Sequence, residues 1–221
     1  MKDSVGEVRE MLDMSDEIAA VKRAFRDDEE PEWTVLLTVA GALIIGLILM
    51  FVVTGQSKTV QAGDTSISYP ATWINVDEPG AAFAAADRDT YYSFGPRLSV
   101  RQLDKATLAP PSVTGAPSTP SGDLESAAAN WTLQRQNQQV GYRTLGVMTT
   151  TVQGKPAVVV GSAYLLDSAL GGGGLPGLMR AEDTIVLNGD TFDILSFSAE
   201  ASAWDGLSGL RDRLLGGWKL P

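Results

Sequence analysis

Residues 179–199 read MRAEDTIVLNGDTFDILSFSA, and this stretch decides the fold. Two apolar-rich runs, Met179–Leu187 and Thr191–Ala199, flank Asn188-Gly189. β-branched and aromatic residues favour strands, while Asn-Gly tolerates the positive φ of a tight turn, so the stretch predicts an antiparallel hairpin. Just upstream, Tyr142–Gln153 and Ala157–Leu166 predict two long strands joined by Gly154-Lys155-Pro156. Earlier still lie the shorter runs Thr65–Tyr69, Ala81–Ala86 and Pro96–Asp104. In the last of these, Leu98 and Val100 alternate with Ser99 and Arg101, the period of a strand.

Two helical patterns bracket the later strands. Asp123 is the expected N-cap of a helix over LESAAANWTLQRQNQ, with Glu125 in its first turn. Trp204, Leu207, Leu210, Leu214 and Trp218 recur at helical spacing and predict an amphipathic C-terminal helix. Residues 105–122, rich in Pro, Ser, Thr and Gly, read as a flexible insertion. A strand-rich centre with helices at defined places predicts an α+β domain over residues 63–221, an antiparallel sheet covered by helices. Residues 55–62 read as a linker.

The order of these pieces resembles a known family. Gly63-Asp64-Thr65-Ser66-Ile67-Ser68-Tyr69-Pro70-Ala71-Thr72-Trp73 is similar to the opening of the PsbP-like family, where a strand ends in a (Y/F)P-x-x-W turn. The helix, the strand pair around Gly154-Lys155-Pro156-Ala157, the hairpin and the C-terminal helix follow in that family's order. The resemblance covers roughly 160 residues, the outer domain alone. It implies a PsbP-like fold and a non-catalytic accessory or interaction module, as in extrinsic photosystem subunits and bacterial lipoproteins. This chain departs from many relatives in having an apolar segment ahead of the domain, and its lack of histidine carries over no histidine-based metal role.

That apolar segment is Thr34–Thr54, TVLLTVAGALIIGLILMFVVT, without a charge. At 1.5 Å rise per residue it extends about 30 Å, the thickness of a hydrocarbon core, and predicts a single transmembrane helix. Trp33 suits an interfacial position at one end. The segment before it is too long and too acidic for a cleaved signal peptide, so an uncleaved signal anchor is expected. Lys22, Arg23 and Arg26 flank one side and Lys58 the other, which puts the N-terminus in the cytoplasm and the C-terminal domain outside it. Thr38, Ala42 and Gly46 form a stripe of small residues on the helix, a candidate contact for another membrane helix.

Residues 1–33 hold five basic and eleven acidic residues. Met11, Met14, Ile18, Val21 and Phe25 fall at alternating spacings of three and four, a seam along a cytoplasmic amphipathic helix. Two heptads are too short to be stable alone, so the seam predicts a partner. The acidity is wrong for lying flat on an anionic leaflet.

Composition bounds the chemistry. The 221 residues carry a net charge of −10 with no histidine and no cysteine. An acidic chain is unsuited to nucleic-acid binding, and imidazole or thiolate catalysis and metal ligation are unavailable to it. Gly171-Gly172-Gly173-Gly174-Leu175-Pro176-Gly177 lacks the Lys-Ser/Thr and the following helix of a phosphate loop. Asp87, Asp89, Asp190 and Asp193 lack the alternation of a calcium loop and read as turn residues. Serines are abundant, but no G-x-S-x-G elbow accompanies Lys105 or Lys155. Trp73, Trp131, Trp204 and Trp218 read as core residues, whereas Tyr91, Tyr92 and Phe94 cluster in a loop able to anchor a partner. No catalytic residue, cofactor or metal ligand is expected. The sequence therefore predicts a non-enzymatic accessory subunit bound to a membrane protein complex through its membrane and cytoplasmic helices. The alternative is a membrane-anchored module binding a small molecule or lipid outside the cytoplasm.

Overall fold

A computed structural model describes residues 32–110, 119–167 and 175–221. The cytoplasmic seam (Met11, Met14, Ile18, Val21, Phe25), residues 111–118 of the Pro-rich insertion and the Gly171–Gly174 run lie outside the described residues. The chain forms two units, residues 1–55 and 56–221.

In the first unit, helix α1 spans Glu32–Thr54. Its side chains are described over residues 33–47, a rise of about 22 Å. Among the described residues no helix is long and apolar enough to cross a membrane, so the expected span is not found there. Thr38, Ala42 and Gly46 are exposed along one face of α1, and Thr38 Oγ1 donates to the Thr34 carbonyl at 2.8 Å.

The second unit is built on two antiparallel sheets. Strands β1 (Ser57–Ala62) and β2 (Thr65–Pro70) pair with the short C-terminal β10 (Trp218–Lys219). Residues 57–62, read from sequence as linker, are thus an edge strand, with only Val60 and Ala62 to signal it. The large sheet has seven strands in the order β3-β4-β5-β9-β8-β7-β6. They are β3 (Ile74–Asn75), β4 (Phe83–Ala86), β5 (Arg97–Asp104), β6 (Val140–Val152), β7 (Lys155–Leu166), β8 (Gly177–Asn188) and β9 (Thr191–Glu200). One-turn helix α2 (Lys105–Leu108) and the long α3 (Pro120–Gln138) lie between β5 and β6. A 3-10 turn (Trp204–Leu207) and α4 (Ser208–Gly217) precede β10.

The predicted hairpin is present, with Asn188 paired to Thr191. Gly189 alone carries the positive φ of 62°, at the first of the two central positions, the pattern of a type II′ turn. Asn188 serves through its side chain instead: Nδ2 donates to Asp193 Oδ2 at 2.9 Å and Oδ1 accepts from Lys155 Nζ at 2.7 Å. Between β6 and β7 both central residues have positive φ, Gln153 at 52° and Gly154 at 79°, as a type I′ turn needs. Gln153 is the non-glycine residue in this strained region, and its side chain bonds the Trp218 carbonyl and the Leu220 amide. Those two bonds tie the turn to the C-terminal segment and offset its conformational cost.

Both faces of the large sheet are covered over its central strands, as their apolar runs require, while β6 at its edge is exposed. One face packs on the small sheet and α4 through Trp73, Phe83, Leu98, Phe197, Trp204 and Trp218. The other packs on α2 and α3 through Leu108, Leu124, Trp131, Ile185, Phe192 and Ile194. The fully buried ones among them, such as Leu98, Trp218, Phe192 and Ile194, each contribute about 1.5–3 kcal/mol. In α3, Leu124, Ala127, Ala128 and Trp131 recur on the buried face, and the two alanines let the helix approach closely. Its N-cap is Thr119, whose hydroxyl accepts from the Gly122 amide at 3.2 Å, with Pro120 at the first position. The cap therefore precedes the predicted Asp123, which instead is buried and pairs with Lys105 at 2.6 Å.

Candidate functional site

On the α3 side, the inward-facing positions of the sheet change character along its length. β9 places Phe192 and Ile194 under α3, then Ser196 and Ser198 beyond it. The register sets Ser99 and Asp183 on either side of Ser196, and Arg97 and Ala181 on either side of Ser198. Apolar positions thus give way to polar ones where the end of α3 leaves the sheet. A cleft of about 410 Å³ opens here, lined by Arg97, Ser99, Ser196 and Ser198 from the sheet, Arg135 and Gln138 from α3, and Tyr164 from β7. Val76, Val140, Leu165 and Leu166 add apolar walls, and Asp77 and Asp167 are exposed at its rim.

Two guanidinium groups dominate its electrostatics. Arg97 Nη2 donates to the Tyr91 carbonyl at 3.2 Å, and its guanidinium lies 5.7 Å from the Tyr91 ring. Among the described residues Arg97 makes no ion pair. Arg135 lies 5.6 Å from the Trp131 ring, with Nε 3.7 Å from Asp183 Oδ2. That oxygen also accepts from Trp131 Nε1 at 2.8 Å, so a fully buried carboxylate joins α3 to the sheet. Glu78, also in the lining, is engaged by Arg101 at 2.5 Å and Ser99 at 3.2 Å. Nε of Arg97, Nε of Arg135 and Oγ of Ser196 are buried without a hydrogen-bond partner. Burial pushes the Tyr164 phenol above its ordinary range, against the hydrogen bond from Ser198 and the Arg135 and Arg97 charges. It is a neutral phenol at physiological pH.

A second feature lies at the sheet edge. Strand β6 is exposed along nearly its whole length, and Val147 and Met148 stand 57% and 62% exposed beside Leu145 and Val140. Its pairing with β7 breaks register between Val140 and Arg143 and between Thr144 and Gly146. Edge strands usually carry charge, proline, bulges or cover; this one has Arg143 and the two register breaks but otherwise presents aliphatic side chains.

The sequence-predicted loop residues divide. Tyr92 is 65% exposed and stacks edge-on with Tyr91 at 5.0 Å, Tyr91 lines the cleft, and Phe94 packs on Tyr164, Met179 and Ala181. Among the described residues no three carboxylates gather. Apart from Tyr91, the cleft residues were missed by sequence reading. Their signal was the polar alternation Ser196, Ser198 continuing a face begun by Phe192 and Ile194, together with Asp183 inside an apolar strand.

No family model matches the chain, and no curated protein does. Among solved structures it is similar to cyanobacterial PsbP (CyanoP) from Synechocystis, with a TM-score of 0.53 and 13% identity over 75% of this chain and 92% of that one. It is also similar to LpqN, involved in cell envelope biogenesis of Mycobacterium tuberculosis, at a TM-score of 0.47 and 13% identity over 75% and 91% of the two chains. The Ran-binding protein Mog1p of Saccharomyces cerevisiae gives 0.45 and 13% over 75% and 95%. The chain has the PsbP-like fold.

Proposed function

We propose that this chain is a non-catalytic, single-pass accessory or assembly subunit that docks onto a larger membrane protein complex. The observation that carries docking is β6, an unpaired edge with Val140, Leu145, Val147 and Met148 exposed. Aliphatic side chains along an open edge are what a protein partner would cover. Membrane attachment rests on the sequence alone, the uncharged run of residues 34–54. Flanking positive charge supports a cytoplasmic N-terminus, and the stripe Thr38, Ala42 and Gly46 supports a neighbouring helix. The acidic first segment, with its seam from Met11 to Phe25, supplies a cytoplasmic contact.

The test is extraction of the full chain in mild detergent, with mass spectrometry of what co-migrates. A stoichiometric membrane complex is expected, lost on Val147→Lys and weakened by Gly46→Ile. A lone monomer, or a complex indifferent to both variants, would overturn the reading. The cleft favours a second reading, a membrane-anchored module for a small ligand. Charged and hydroxyl side chains line it together with aliphatic walls, which suits a small polar molecule better than a lipid chain.

A further inference from the structure

We infer that the cleft at the end of α3 binds a small organic anion, a carboxylate or phosphate monoester with a short apolar body; this rests on the second, ligand-binding reading. Its volume of about 410 Å³ falls in the range of small-ligand sites. The cations that line the cleft are the guanidinium groups of Arg97 and Arg135. Arg97 has a carbonyl and an aromatic ring for company but no carboxylate among the described residues. A half-buried guanidinium lacking a counter-ion attracts an anion, and charge-assisted hydrogen bonds are the strong ones.

The unused donors agree. Ser196 is buried and its Oγ lacks a hydrogen bond, as does Nε of Arg97, and Nε of Arg135 has only the 3.7 Å ion pair to Asp183. A native fold rarely leaves several such groups beside one cavity unless something else satisfies them. Tyr164 and Ser198 add hydroxyls to the same wall. The carboxylates do not cancel this field. Asp77 and Asp167 sit exposed at the rim, Glu78 is held by Arg101 and Ser99, and Asp183 is held by Trp131 and Arg135. Val76, Val140, Leu165 and Leu166 flank the mouth, so the ligand's apolar part would rest there with its anionic head inward.

The experiment uses the full chain in lipid nanodiscs, titrated with hexanoate, hexyl phosphate, hexylammonium and inorganic phosphate. Binding is read by the thermal unfolding midpoint and by tryptophan fluorescence, Trp131 lying against Arg135. Saturable binding of hexanoate or hexyl phosphate, with hexylammonium inert, is expected, and comparing the two anions separates carboxylate from phosphate. Arg97→Gln should weaken it about tenfold or more. Arg97→Lys should retain part of it, and exposed Arg213→Gln should leave it unchanged. Should Arg97→Gln fail to fold, Ser196→Ala gives the second reading, a several-fold loss. Equal binding of hexanoate and hexylammonium would overturn the anion while leaving a small-ligand module. No binding by any probe to the folded wild type would overturn both.

Discussion

Among the described residues, the strands of the seven-stranded sheet bury one carboxylate on each face, and the two are solved differently. On the face toward the small sheet, Asp193 is neutrally served: Gln102 Nε2 donates at 3.2 Å and Asn188 Nδ2 at 2.9 Å. On the face toward α3, Asp183 meets a cation, Arg135, and the indole of Trp131. The first face is otherwise an aromatic core with Trp73, Phe83, Phe197, Trp204 and Trp218. The second is apolar under α3 and polar past its end, where Arg97, Ser196 and Ser198 line the cleft. The difference teaches that one face serves mainly to hold the domain together, while the other combines packing with unspent polar chemistry.

The largest effect should come from breaking the aromatic face. Trp218 is fully buried against this core, although it lies only three residues from the C-terminal Pro221. Trp218→Ala should cost about 3–5 kcal/mol in urea unfolding of the full chain, the range for truncating a buried aromatic. It also leaves Gln153 reaching for a less well-fixed carbonyl. A loss below about 1 kcal/mol would mean that β10 and α4 are dispensable to the core, and the contrast between the faces would collapse.

Next comes the carboxylate that joins α3 to the sheet. Asp183→Ala leaves Arg135 and the Trp131 indole without their buried acceptor and should cost about 3 kcal/mol. Adding Arg135→Met should then cost less than it does alone, because the charge it removes has already lost its counter-ion. Strict additivity of the two changes would show that Arg135 answers to the cleft and not to Asp183.

What was legible in the sequence follows the same division. Hairpin and strand order were readable because the runs around Asn188-Gly189 and Gly154 combine β-branched residues with turn residues, both local signals. The cap of α3 moved from Asp123 to Thr119 because Pro120 presets the first helical turn and Asp123 found a buried partner in Lys105. β1 was hidden because SKTVQA is an edge strand, exposed at its first three residues and needing little apolar alternation. The cleft as an assembled site was not legible. Arg97, Arg135, Tyr164 and Ser196 come from four elements, and only the pairing β5-β9-β8-β7 with α3 laid across it brings them together. Tyr91 reached the cleft from a loop singled out for its aromatics, while Phe94 of the same loop went into packing. Loop composition does not distinguish those two fates.

The smallest effect is the subtlest test of the comparison, since it asks whether Asp193 is served well enough by neutral donors. Burial raises its carboxyl above the ordinary aspartate value of 3.8, against the pull of the Asn188 and Gln102 hydrogen bonds and the charge of Lys155. A carboxyl raised on folding binds its proton more tightly in the native state. Its contribution to stability is therefore fully present below pH 3.8 and is lost as pH rises through the folded value. Asp193→Asn removes that titration. Wild type should gain stability relative to Asp193→Asn as the pH is lowered from 7 toward 4, measured by urea midpoints at each pH. A difference that stays flat, or that grows toward neutral pH, would mean that Asn188, Gln102 and Lys155 outweigh burial. The aromatic face would then hold its acid as a stabilised anion, and burial would no longer set Asp193 apart.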